Sequence, residues 1–134
     1  MAPLTVLVVE DDPVILRLLE VNFDMEGFVV RTATDGQEAL DSVRTDRPDA
    51  VVVDIMMPVL SGLDFLAGLR GDPAIADVPV LLLSAKAQAS DIRTGLAAGA
   101  DDYVTKPFEP LDLVERVTRL VDRRSSTETH PRCS

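Results

Sequence analysis

An α/β fold built on a doubly wound, five-stranded parallel sheet is predicted by three features of this 134-residue chain. Short β-branched runs alternate five times with longer helical patterns, the rhythm of successive βαβ units. Residues 50–53 are apolar at every position, as a central strand covered by helices on both faces requires. Four runs also end on a reactive side chain: 4–9 on Glu10-Asp11-Asp12, 50–53 on Asp54, 80–83 on Ser84, and Asp102–Thr105 on Lys106. Strand ends of a parallel sheet share one edge, and ligands of open α/β sheets bind beyond that edge.

Each element has its own local signal. Residues 4–9 form the first strand, after which Asp12-Pro13 offers an N-cap followed by proline at the first helical position. Val14, Ile15, Leu18, Leu19, Asn22 and Met25 then recur at helical spacing until Gly27 stops the helix. Residues 28–33 form the second strand. Thr34 or Asp35 caps a second helix through about Arg44, with Ala39, Leu40 and Val43 inward. Pro48 ends that connection, and the third strand leads to a helix that starts near Gly62, carries Leu63, Leu66 and Leu69, and breaks at Gly71-Asp72-Pro73. Strand four covers 78–83. The helix after Ser84 runs to about Ala98, stops at Gly99 and holds few large apolar groups, so it is expected to be the most mobile. Strand five follows, and Pro107 opens a last helix with Leu111, Val114, Val117, Leu120 and Val121 on its apolar face. Beyond Arg124 the composition is too polar to bury, and residues 125–134 are expected to be a disordered tail or linker.

Bulk properties exclude several function classes. A chain of 14.5 kDa with 46% hydrophobic residues fills one domain, residues 1–124, and leaves no room for a second. Thirteen basic against 23 acidic residues give a net charge of −10, which disfavours nucleic-acid backbones and anionic membranes as direct partners. No apolar stretch approaches the roughly 20 residues of a membrane span, and no signal-peptide pattern opens the chain, so a cytoplasmic location is expected. Cys133 is a spare thiol and His130 incidental, both in the polar tail.

The carboxyl-edge residues suit a divalent metal and a phosphoryl group. Mg²⁺ takes oxygen ligands, one or two carboxylates plus waters and phosphate oxygens, and Asp11, Asp12 and Asp54 supply such a set. Crowded carboxylates repel, which favours protonation of at least one unless a cation sits among them, and Lys106 or a metal resolves the conflict. Taken singly, Asp12 reads equally as a helix cap, Asp54 as a strand-end turn, Ser84 as a cap and Lys106 as a solvated charge. Pro107, however, restricts Lys106 to extended conformations, so that it projects from the strand end. The four positions together are far more specific than any one.

Those residues resemble the receiver domains of two-component response regulators. Asp11-Asp12, Val53-Asp54-Ile55-Met56-Met57-Pro58 with Ser61-Gly62, Ser84-Ala85, and the whole of 99–108 match the family's signature stretches, and residues 99–108 are similar to the receivers of transcription-factor regulators. The resemblance spans residues 4–123. It implies a flavodoxin-like (βα)5 fold of the CheY type with strand order 2-1-3-4-5, and phosphorylation of Asp54 by a sensor histidine kinase or phosphotransfer protein. It further implies Mg²⁺ held by Asp12, Asp54 and the Met56 backbone carbonyl with Asp11 acting mainly through water, and a phosphoryl group held by Lys106, Ser84 and the Ala85 backbone. Ser84 and Tyr103 would form the switch that reshapes the face of helix four, strand five and helix five. A cis Lys106-Pro107 bond is implied as well.

A receiver of this kind is a signalling phosphoacceptor that assists its own chemistry rather than an enzyme. Dimerisation through the helix four to helix five face is a further expectation, with Arg93, Arg116, Arg119 and Asp101 as candidate pairing charges, and kinase choice is expected to depend on Ile15, Leu18, Leu19 and Asn22. Three alternatives compete. A phosphatase of the haloacid dehalogenase type needs a second acid two residues after its nucleophilic aspartate, where this chain has Met56. A flavodoxin-type cofactor binder needs a phosphate-binding loop where this chain has Glu10-Asp11-Asp12-Pro13. A pseudo-receiver that only docks partners has no use for Asp12, Asp54, Ser84 and Lys106 together.

Overall fold

A computed structural model describes residues 3–129. Strands and helices alternate throughout: β1 (Thr5–Val9), α1 (Pro13–Met25), β2 (Val29–Ala33), α2 (Gly36–Thr45), β3 (Ala50–Asp54), α3 (Gly62–Arg70), β4 (Val80–Ser84), α4 (Ala89–Ala97), β5 (Asp102–Thr105) and α5 (Pro110–Thr129). Every strand pair is parallel, and the order is β2-β1-β3-β4-β5, the predicted arrangement. Register then aligns the strand ends. Asp54 lies opposite Leu83, and Ser84 lies opposite Thr105.

Period-two alternation divides each strand between two cores. Val6, Val8, Val52, Leu81 and Leu83 pack with Leu19 and Phe23 of α1 and with Leu113, Val114 and Val117 of α5. On the opposite face Leu7, Val9, Val51, Val53 and Leu82 pack with Ala39, Leu40 and Val43 of α2 and Phe65, Leu66 and Leu69 of α3. Each fully buried Leu or Phe contributes about 1.5–3 kcal/mol, so these two layers, rather than helix propensity, fix where the strand ends fall. Phe23 and Phe28 add an edge-to-face pair with centroids 5.2 Å apart.

Local chemistry sets the helix ends. Asp12 caps α1 by accepting from the Val14 and Ile15 amides, Asp35 rather than Thr34 caps α2, and Ser61 caps α3. Gly27 and Gly99 close α1 and α4 at φ of +89° and +112°.

Four boundaries differ from the sequence reading by more than one residue, and several inward positions differ as well. β4 starts at Val80 instead of Val78, because Arg70 takes the Val78 carbonyl at 2.7 Å and Pro79 has no N–H to pair. α4 starts at Ala89 because the Lys86 backbone is captured by Ser84 and Tyr103. α5 starts at Pro110, after Phe108 has packed against the core, and it continues past Arg124 to Thr129. The tail expected from residue 125 is therefore helical over 125–129, and residues 130–134, with His130 and Cys133, lie outside the described residues. Val14 and Met25 are each 75% exposed and Leu111 63%, because Leu19 with Phe23 and Leu113 with Val117 carry the buried stripes.

The start of α2 presses on the loop that follows β3. A Cβ on Gly36 would stand 1.9 Å from the Leu60 carbonyl oxygen, a backbone atom that cannot swing aside. Gly36→Ala is expected to cost ~1–3 kcal/mol through this overpacking, read as a lower urea midpoint at unchanged m-value.

Candidate functional site

The carboxyl ends of β1, β3, β4 and β5 converge as the topology requires. Glu10 directly follows β1, its amide bonded to Ala33 O of β2 at 3.1 Å, and its side chain is buried. Asp54 ends β3 and is 5% exposed. Ligand oxygens of Glu10, Asp11 and Asp54 all lie within 4.8 Å of one another. Lys106, just past β5, reaches into this group: its ammonium donates to Glu10 Oε1 at 3.1 Å and to Asp54 Oδ2. The other Asp54 oxygen accepts the Met56 amide at 2.9 Å. The Lys106–Pro107 peptide is cis.

Asp12, expected as a metal ligand, lies outside this group of three, and its Oδ1 accepts the Val14 amide at 2.9 Å and the Ile15 amide at 3.4 Å. Glu10 takes the third place in the cluster. The chain's acidic pair at this edge is thus Glu10-Asp11, one residue earlier than Asp11-Asp12.

Electrostatics follow from three carboxylates and one ammonium at a mostly buried edge. Burial, and to a lesser degree the neighbouring Asp54 charge, raise the Glu10 carboxyl from 4.5 to about 6, against the opposing bonds from the Asp12 amide and Lys106. Burial works against the Lys106 charge too, but hydrogen bonds to Asp54 and Glu10 outweigh it and hold the ammonium above its ordinary range. With all four ionised, two negative charges stay uncompensated. An oxygen-only donor set with that surplus fits Mg²⁺, which favours carboxylates and keeps several waters.

Ser84 is fully buried at the end of β4, and its Oγ accepts the Lys86 amide at 3.0 Å. Lys86 in turn offers its carbonyl to the Tyr103 hydroxyl at 2.8 Å. Tyr103 lies inward, 8% exposed, against Gly95 of α4, where a Cβ would meet the ring at 2.9 Å. Ala85 follows at an exposed position. The Lys86 backbone carried no signal in the sequence, since its amide and carbonyl, not its side chain, connect Ser84 to Tyr103.

The loop after β3 completes the site's rim. Leu60 N–H bonds Pro58 O at 2.7 Å around Val59, whose φ is +66°. That three-residue turn of positive φ is uncommon and strained, the more so for a β-branched residue. Val59 is also 82% exposed and Met56 62%.

The response regulator receiver domain model matches residues 6–118 of the chain. The chain belongs to the response regulator receiver domain family. The transcriptional regulatory protein PrrA of Mycobacterium bovis is 51% identical over 124 residues, which are 92% of this chain and 52% of that protein. The chain therefore spans about half the length of this curated relative. Among solved structures, the receiver domain of the Francisella response regulator 1452 superposes with a TM-score of 0.86 at 38% identity, covering 92% of this chain and 99% of that one. The receiver domain of the sensor histidine kinase PA1611 of Pseudomonas aeruginosa, determined with a magnesium ion coordinated in its active-site cleft, superposes with a TM-score of 0.83 at 32% identity, covering 90% and 99%. This receiver is accordingly a signalling domain of a two-component system with a flavodoxin-like fold, and the phosphatase and cofactor-binder alternatives are not favoured. No helix among the described residues is long and apolar enough to cross a membrane.

The raised Glu10 pKa has a consequence for this receiver's stability. Between pH 4.5 and about 6 the native state holds a proton that the unfolded chain releases, so stability falls as pH rises through that window. Above it, the buried anion costs on the order of 1–2 kcal/mol. Glu10→Gln keeps an oxygen acceptor and removes the charge. It is expected to stabilise the chelator-treated protein by that amount at pH 7.5 and not at pH 4.5, as measured by urea unfolding; an equal effect at both pH values would refute the assignment.

Proposed function

We propose that this receiver accepts a phosphoryl group on Asp54 from a phosphohistidine of a sensor histidine kinase or phosphotransfer protein, with Mg²⁺, and signals by reshaping its α4–β5–α5 face. The observation that carries this reading is the placing of Asp54, 5% exposed, between the Lys106 ammonium and the Met56 amide, beside Glu10 and Asp11.

In the transfer, an Asp54 carboxylate oxygen bonds to phosphorus as the bond from phosphorus to the donor nitrogen breaks. The nitrogen keeps the electron pair, and the imidazole, protonated at its other nitrogen, leaves neutral. Charge gathers on the equatorial oxygens of a loose transition state, so fixed cations and donors supply most of the acceleration. When bound, Mg²⁺ neutralises phosphoryl charge. Asp11, Asp54 and the Met56 carbonyl would hold it, with Glu10 acting mainly through water. Lys106 exchanges a carboxylate oxygen for a phosphoryl oxygen. The Ser84 hydroxyl, so far an acceptor, has its hydrogen free to donate to a second oxygen, and the Ala85 amide serves the third. No general base is needed. The domain thus assists its own phosphorylation while the donor supplies the phosphoryl group.

Reorienting Ser84 toward the phosphoryl group loosens its hold on the Lys86 amide, and the Lys86 carbonyl transmits the change to Tyr103. This chain of backbone and hydroxyl contacts supports Ser84 and Tyr103 as the switch pair.

An apolar patch beside Lys106, lined by Ile15, Leu18, Pro107 and Phe108, suits the donor's helix. Leu19, named with them in the sequence reading, is fully buried and takes no part. We further propose a cytoplasmic site of action, a receiver body over residues 1–124, and a link from 125 onward to an output domain such as the longer relatives have room for. A second copy is the proposed partner for α4–β5–α5, where Asp101, Asp102, Arg116, Arg119 and Asp122 form a depression of mixed charge. Arg116 already pairs with Asp102 and Asp112, Arg119 with Glu115 and Asp101 with Arg70, so dimerisation exchanges partners rather than recruiting free charges. Such exposed pairs each contribute about 0–1 kcal/mol.

Mass spectrometry after incubation with acetyl phosphate and Mg²⁺ is expected to show a single phosphoryl adduct, absent in Asp54→Asn and after chelation. An unmodified mass in the wild-type protein removes the mechanism. Light scattering of the same receiver loaded with beryllofluoride is expected to give twice the monomer mass, and an unchanged mass disposes of the dimer alone.

A further inference from the structure

Arg70, the last residue of α3, lies at the edge of the sheet opposite the acidic cluster, where β4 and β5 begin. All five of its N–H hydrogens are engaged. Nε and Nη2 donate to the Gly99 carbonyl at 2.9 and 2.8 Å, Nη1 donates to the Ala76 and Val78 carbonyls at 2.8 and 2.7 Å, and Nη2 also donates to Asp101 Oδ2 at 2.9 Å. Asp101 Oδ2 accepts the Val80 amide as well, at 2.8 Å, so the network reaches the first residue of β4. The arginine side chain is only 23% exposed. Gly99 leaves room for it: a Cβ there would stand 3.2 Å from Arg70 Cγ and Nε.

The two ends of α4 are consequently held in different ways. Its C-terminal end runs into Gly99, to which a charged, fully satisfied guanidinium is bonded twice. Its N-terminal end follows the 85–88 loop, whose hold is the Lys86 backbone, with its amide on Ser84 and its carbonyl on Tyr103. Between them, Gly95 is the only buried residue of the helix. A helix with so little anchored side chain moves where its ends allow.

We infer that Arg70 is a positioning residue of the switch: it pins the Gly99 end of α4, so that a rearrangement at Ser84 tilts the helix about that end instead of releasing the whole of it. This rests on the proposed reading of Ser84 and Tyr103, and it adds a fixed point on the far edge of the sheet. Arg70 touches none of the reacting groups, so phosphoryl acceptance does not depend on it, whereas the passage of the signal into α4 does.

Amide exchange followed by NMR, with and without Mg²⁺ and beryllofluoride, tests the pivot in the whole chain. In the wild-type protein the anion is expected to change exchange over 86–92 by tenfold or more and to leave 98–101 within twofold. Arg70→Gln is expected to speed exchange at 98–101 and at Val80 at least tenfold without the anion, and with it to spread the change along all of α4. Tyr103 is the only tyrosine and there is no tryptophan, so intrinsic fluorescence reads its environment alone. That fluorescence response to beryllofluoride is expected to fall by more than half in Arg70→Gln, while the extent of Asp54 labelling by acetyl phosphate stays that of the wild type. Asp101→Asn, which weakens one of the five bonds and keeps an acceptor for Val80, is expected to give a smaller change at the same amides and covers the case in which Arg70→Gln does not fold. Wild-type exchange that rises at 98–101 as much as at 86–92, or an Arg70→Gln protein with both protection and fluorescence response intact, overturns the pivot alone. A wild-type protein that responds to the anion nowhere overturns the receiver mechanism and the pivot with it.

Discussion

Like charges held together at one edge of the sheet are the constraint on which this molecule turns. Glu10, Asp11 and Asp54 share a space within 4.8 Å, and among the described residues Lys106 is the one ammonium bonded into it. In water a pair of unit charges 4 Å apart interacts by about 1 kcal/mol, and near a protein surface by about 4 kcal/mol. Burial of the Glu10 charge, with the neighbouring Asp54 adding a smaller part, lifts that carboxyl to about 6. The surplus of negative charge is what a divalent cation relieves. Once a cation and Lys106 are both present, positive charge equals or exceeds negative, and a phosphoryl group finds an edge prepared for an anion. The instability of the site and its chemistry have one source.

The backbone keeps that source in place. β3 is buried at all five positions, so Asp54 cannot retreat without moving both cores. The loop that leaves it returns at once: Gly62 bonds back to the Ile55 carbonyl at 2.9 Å, and a Cβ on Gly62 would stand 2.5 Å from the Asp54 carbonyl oxygen. Gly36 closes on Leu60 from the other side. Held at both ends, the seven residues between Asp54 and the start of α3 accommodate a strained positive-φ valine at their tip, which costs of order 1–3 kcal/mol elsewhere offset. Packing on two faces thus sustains a loop geometry that its local sequence disfavours.

Much of this was legible in the chain. β-Branched runs that end on acidic, hydroxyl and ammonium groups specify a parallel sheet and its working edge, and Gly27 and Gly99 marked true helix ends because only a residue without Cβ takes those φ values easily. What escaped were choices between two uses of one residue. Asp12-Pro13 carried a capping signature and also stood beside other acids. The capping bonds, made within three residues, turn Asp12 Oδ1 toward the α1 amides, and Asp12 stands outside the group of three carboxylates. Glu10 was hidden by its neighbours because a buried glutamate after a strand has no sequence signal of its own; only the reach of Lys106 across 96 residues shows it. Arg70 was similarly silent. Its partners are carbonyls, which every residue has, so nothing in the pattern of side chains pointed to a guanidinium bonded at five points.

Those backbone partners explain how a chemical event at one end of the sheet can shift a face some distance away without a dedicated side-chain wire. Ser84 acts on the Lys86 amide, and the carbonyl of the same residue acts on Tyr103; Arg70 acts on Gly99 and Val78. The Lys86 amide and the Lys86 carbonyl lie in adjacent rigid peptide planes that meet at the Lys86 Cα, so only that residue's φ and ψ stand between them. A hydroxyl that lets go of the Lys86 amide frees the dihedrals that aim the Lys86 carbonyl, while a guanidinium that saturates the opposite end of α4 denies the same freedom there. Motion is directed because one terminus of the helix is tied by a bond the phosphoryl group competes for, and the other by bonds it never meets.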